Sequence, residues 1–71
     1  MGNREWLKGY QDQAAWLQGQ PLPAAYQALE TREATLEMTC YNLGGTAATA
    51  DYIAAEMTRA IADAARSATR K

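Results

Sequence analysis

The sequence has one cysteine and one serine, Cys40 and Ser67, and neither has a histidine to activate it as a nucleophile, because the chain contains none. General-base activation of a hydroxyl or thiol by imidazole therefore cannot be assembled, and the chain is expected not to be an enzyme. Three carboxylates, Glu30, Glu33 and Glu37, stand at helical spacing and share a face. Metal sites built on helix faces also recruit histidine, so no metal is assigned to them. The run Gly44, Gly45, Thr46 has the glycines of a phosphate cradle but lacks the lysine that such a loop needs, and it reads as a helix stop. No catalytic residue, metal ligand or cofactor follows from the sequence.

The carboxylates gain interest from what flanks them. Tyr26, Glu30, Glu33, Glu37 and Tyr41 recur at intervals of four, three, four and four, which on one continuous helix makes an acidic strip bounded by aromatic rings. Such a strip suits docking to a protein with a basic surface: the carboxylates steer the encounter and the tyrosines anchor it. Trp16 falls outside the main apolar sector of its own segment and is a further candidate anchor. The competing expectation is internal, with the glutamates paired to Arg59 and Arg66.

These residues need helices to position them. Leu22, Leu29, Leu36 and Leu43 are one heptad apart and mark a buried face around which the chain is expected to be organised. Before them, Asn3 can cap a helix over about residues 4–18, with Trp6, Leu7, Tyr10, Ala14 and Leu17 on its inner side and Gly19 closing it. Pro23 suits the first turn of a second and longest helix, about 23–42, ended by Gly44 or Gly45. A third, about 47–69, is expected to bury Ile53, Met57, Ala60, Ile61, Ala64 and Ala68, while Glu56, Arg59, Asp63 and Arg66 form a solvated, self-paired face. The fold class is therefore all-α: a small three-helix domain spanning 1–71, with a long central helix.

At 71 residues, with 48 % apolar residues rich in alanine and no phenylalanine, the core is light, and self-association as a homodimer through the second helix or the alanine-rich face of the third is expected. A net charge of −1 makes nucleic acid an improbable partner, since phosphate neutralisation calls for a basic excess. A single cysteine and the lack of an apolar run near 18 residues read as a cytoplasmic chain outside the membrane. The function expected is that of a non-enzymatic protein-binding module that occupies a surface of a larger partner, as a stoichiometric inhibitor or adaptor of the sort phages and mobile elements encode. Two alternatives remain: a helix-turn-helix-like regulator built around Leu43 to Thr46, and a structural homo-oligomer.

Overall fold

The computed structural model describes residues 2–35 and 37–69, and helix is the only regular secondary structure among them. Its elements are α1 (Asn3–Leu17), α2 (Leu22–Thr35) and α3 (Cys40–Ala68). Three helices are thus present, and the third is the longest, with both others packed on it. This differs from the expectation of a long central helix over 23–42. The break falls between Thr35 and Cys40, where the side chains of Thr39 and Asn42 offer the backbone alternatives to helical bonds. Thr39 is the N-cap, its Oγ1 accepting from the Asn42 amide at 3.1 Å. The Asn42 Nδ2 donates to the Glu37 carbonyl at 2.9 Å, so two side-chain bonds close the corner where α2 would otherwise have continued.

Gly44 and Gly45, expected to stop a helix, lie inside α3 and are buried. In a helix interior each glycine costs roughly 1 kcal/mol relative to alanine, and close approach of other groups explains both. A Cβ at Gly44 would overlap the Trp6 carbonyl of α1, and one at Gly9 would overlap the Tyr41 carbonyl of α3. The two helices therefore touch backbone to backbone, each supplying one glycine. Along this contact Trp6 meets Gly44 and Gln13 meets Thr49, so α1 and α3 run in the same direction. In contrast Tyr26 meets Met57 while Arg32 meets Asn42, which places α2 antiparallel to α3.

The other elements begin and end much as the sequence leads one to expect. Gly2, not Asn3, is the cap of α1 and makes no side-chain cap bond, so helix starts one residue earlier than expected. Gly19 takes φ +82, the left-handed turn that closes α1, and Gln20 donates its amide to the Leu17 carbonyl at 2.9 Å. Pro23 sits in the first turn of α2, where its missing N–H leaves no bond unmade. The Tyr52 hydroxyl donates to the Gln20 carbonyl at 2.6 Å and fastens this turn to α3.

The core is small: Leu17, Ala25, Ala48 and Ile53 are buried, with Tyr10, Ala14, Leu22, Leu29 and Tyr52 half-buried around them. A polar chain runs through it. The fully buried Thr49 donates to the Gly45 carbonyl at 2.9 Å and accepts from Gln13 Nε2 at 3.1 Å, while Gln13 Oε1 accepts from the Arg32 guanidinium at 2.8 Å. That guanidinium lies flat against Gly45, which has no side chain to displace it. One glutamine thus joins all three helices, and the buried hydroxyl is satisfied on both sides.

Much of the expected burial is not realised. Leu43 belongs to α3 and is exposed, so the leucine stripe does not form one buried helix face, and Leu36 lies outside the described residues. Trp6 and Leu7 are exposed as well, Trp6 stacking on Tyr10 with ring centroids 5.4 Å apart. In α3 only Ile53 of its expected stripe is buried, whereas Met57, Ala60, Ile61, Ala64 and Ala68 are all exposed. The reason is length: α1 and α2 have 15 and 14 residues against 29 in α3, so past Met57, which Tyr26 of α2 still reaches, neither short helix covers the long one among the described residues.

Candidate protein-docking surface

The acidic strip is not one continuous helix face. Tyr26, Glu30 and Glu33 lie on α2 and are exposed, but Glu37 falls after the end of α2, in the corner, and Tyr41 lies in the first turn of α3. Glu37 and Glu33 come together around a cleft of about 170 Å³, which is also lined by Arg32, Met38, Asn42 and Thr46. Tyr41 is committed elsewhere, since its hydroxyl donates to the Asp12 carboxylate of α1 at 2.6 Å. The Tyr26 hydroxyl donates to Met57 Sδ at 3.0 Å and leaves much of its ring in the open. A strip of five was legible only on the premise that α2 runs through residue 41.

The expected internal pairing of these glutamates is not found either. Arg59 pairs with Glu56 at 2.7 Å and Arg66 with Asp63 at 3.5 Å, both within α3. Among the described residues no ion pair is formed by Glu30, Glu33 or Glu37. The nearest cation along the chain, Arg32, turns inward to Gln13.

Trp16 does not join the strip. It stands on the last turn of α1, 49 % exposed, and walls an open groove of about 490 Å³ between α1 and α2. Ala24, Ala28 and Thr31 line the α2 side of this groove, at spacings of four and three that put them on one face. Gln27 lines it too, and Glu30 is its neighbour one turn on along α2, so the carboxylate stands beside the lip. Gln13 and Arg32, already bonded to each other, also line the groove. The opening exists because α1 and α2 both pack on α3 more closely than on each other, and Ala24, Ala28 and Thr31 on the α2 side are too small to close it. Sequence reasoning picked out Trp16 but missed its companions, whose signal was the 24, 28, 31 spacing of small side chains.

Two tyrosines have displaced proton affinities. The hydrogen bond from the Tyr10 hydroxyl to Asp51, 2.9 Å long, raises the Tyr10 pKa above its usual 10.0, with desolvation and the Asp51 charge acting in the same sense. For Tyr41 the hydrogen bond to Asp12 is the largest cause of a rise, partly opposed by the Arg32 charge. Both bonds tie α1 to α3, so these groups hold helices together.

Cys40 is free and half-buried at the start of α3, against Gly2, where a Cβ would overlap its sulfur. Among the described residues no group of histidine, cysteine and carboxylate side chains is arranged to hold a metal ion, and no helix is long and apolar enough to cross a membrane. The continuous α3 also lacks the turn around Leu43 to Thr46 on which the helix-turn-helix alternative rested. No protein-family model, curated protein or solved structure matches the chain.

Proposed function

We propose that this chain is a non-enzymatic protein-binding module that docks on a larger protein through the groove between α1 and α2, acting as a stoichiometric inhibitor or adaptor. The observation that carries the reading is the Trp16 groove itself: a half-exposed tryptophan faces two alanines and Thr31 across an opening that no described side chain fills. Half-exposed tryptophan beside an apolar depression is the composition that dominates binding energy when a partner covers it. Glu30 and Glu33, exposed and unmatched by any cation among the described residues, favour a partner whose apolar projection rises from a basic surface. The carboxylates would raise the rate of encounter and the indole would slow release. Self-association belongs to the same reading, on the separate surface that α3 leaves uncovered.

The experiment is affinity capture from the native host with the tagged chain, run side by side with Trp16→Ala and with the pair Glu30→Lys, Glu33→Lys. The reading expects a protein retained in stoichiometric amount by the wild type and released at least tenfold faster by Trp16→Ala, about 1.4 kcal/mol or more. The charge-reversed pair should associate more slowly and lose its salt dependence. Identical rates for all three proteins would overturn it.

A further inference from the structure

A separate cleft lies between α1 and α3 and shares no lining residue with the Trp16 groove. Its volume is about 300 Å³, at the lower end of the range in which small ligands are held. Ala14 of α1 and Ala48 and Ala55 of α3 leave the room between the helices, and Tyr10, Asp51 and Tyr52 stand around it. On α3 the positions 48, 51, 52 and 55 fall on one face of the helix.

The polar groups of this cleft are one-sided. Both tyrosine hydroxyls already donate, Tyr10 to Asp51 Oδ2 at 2.9 Å and Tyr52 to the Gln20 carbonyl at 2.6 Å, so each ring is held in place from its hydroxyl end. Trp6 stacks on the Tyr10 ring but does not line the cleft, so the side of Tyr10 that borders the opening is not the side Trp6 covers. Asp51 is exposed. Among the described residues its carboxylate pairs with no cation, and Oδ1 accepts no hydrogen bond. What the cleft offers is therefore a negative charge with a vacant acceptor, two electron-rich rings and an apolar floor. An anion is repelled by Asp51, and a neutral acceptor finds no hydroxyl left to donate to it. A cation gains from the carboxylate and from the rings together.

We propose that this cleft binds a protonated primary alkylamine, the chemistry of a lysine side chain. The ammonium donates to Asp51 Oδ1 and lies against the Tyr10 and Tyr52 rings, while the methylene stem rests on Ala14, Ala48 and Ala55, as the stems of cationic side chains rest on apolar surface. A donor is needed because Oδ1 is vacant, and a quaternary ammonium has none. Asp51 and Ala55 are exposed, so an amine carried on a longer chain enters without the helices parting. The site stands apart from the Trp16 groove and does not depend on it.

The test is NMR of the full chain titrated at low salt and about pH 7, where the amine is protonated, with n-butylammonium. Kd should be on the order of 1 mM and rise with added salt. Signals of Ala14, Ala48, Asp51 and Ala55 should move, those of Ala24 and Ala28 in the Trp16 groove should not, and the ligand's methylene protons next to nitrogen should shift upfield, as protons over an aromatic ring do. n-Butanol has the same stem without charge, and tetramethylammonium has the charge without an N–H. Each should bind at least about fivefold more weakly. Nα-acetyl-lysine methylamide should match n-butylammonium, and binding of the free amine alone would overturn the lysine reading. Asp51→Asn keeps an oxygen for the Tyr10 hydroxyl and removes the charge, so it should melt within a few degrees of wild type and lose at least about fivefold in affinity. No saturable shift at the cleft residues up to about 20 mM amine, equal binding of n-butanol or tetramethylammonium, or a folded Asp51→Asn that binds like wild type would each overturn the proposal. The wild-type comparisons decide by themselves should that variant fail to fold.

Discussion

Replacing Gly44 with alanine should destabilise the protein, although the same change in an ordinary helix interior stabilises by roughly 1 kcal/mol. The sign reverses because the new methyl group would overlap the Trp6 carbonyl and crowd the Tyr10 amide, which are backbone atoms of α1 and not the end of a side chain that can swing away. Normal contact between such atoms needs about 3.5–4.0 Å, so α1 must retreat by on the order of 1 Å. That retreat loosens the Tyr10 to Asp51 and Gln13 to Thr49 bonds, which lie farther along the same contact. Overpacking of this kind costs about 1–3 kcal/mol, more where backbone has to move. Set against the propensity gain, the net loss should be about 2 kcal/mol, out of a total of roughly 4–10 kcal/mol for a chain of this size. A loss of that size lowers the melting temperature by about 8–16 °C. Circular dichroism melts and urea titrations of Gly44→Ala and Gly45→Ala give the comparison. At Gly45 the atoms nearest the added methyl are those of the Arg32 guanidinium, with Nη1 at 2.5 Å, the end of a side chain that can move, so the loss there should be smaller. A Gly44→Ala protein that melts at or above the wild-type temperature would refute the backbone contact between α1 and α3.

Three further outcomes are expected. Leu17→Ala removes the largest apolar side chain that is completely buried and should cost about 2–5 kcal/mol, enough to leave a substantial unfolded fraction in urea titrations at low denaturant. Stability should fall at alkaline pH: the Tyr10 and Tyr41 pKa values are raised by folding, so what these bonds contribute is complete below about pH 10. It is lost as pH rises through the higher folded values, and the Tyr10→Phe, Tyr41→Phe double variant should show a flatter fall in urea midpoint between about pH 8 and pH 11. Gel shifts with nonspecific DNA at low salt should show no salt-dependent binding, since residues 47–51 of α3 offer four small side chains and the carboxylate of Asp51 where a recognition helix would present base-reading groups.

The first helix and its closing turn were legible because Gly19 and the two prolines leave the backbone few choices. The position of the second break was not, since residues 24–42 contain neither glycine nor proline and read as uninterrupted helix. What ends α2 is a pair of local bonds from Thr39 and Asn42, and threonine or asparagine is compatible with either outcome until the tertiary fit is known. The same fit reverses the meaning of Gly44 and Gly45: a glycine pair signals a helix stop when judged locally and a helix contact once α1 and Arg32 are in place. That shift moved Tyr41 off the acidic strip and gave α3 its uncovered arm. Trp16 was recognised as lying off the main sector of its helix, but the groove it walls depends on how α1 and α2 sit on α3, which periodicity within one helix does not encode.

The most direct measurement of the docking claim is the dissociation rate of the captured partner from the wild type and from Trp16→Ala, with thermal melts of both proteins alongside. A release at least tenfold faster from Trp16→Ala, with its melting temperature within a few degrees of wild type, is the predicted result. Equal release rates from two equally folded proteins would contradict it.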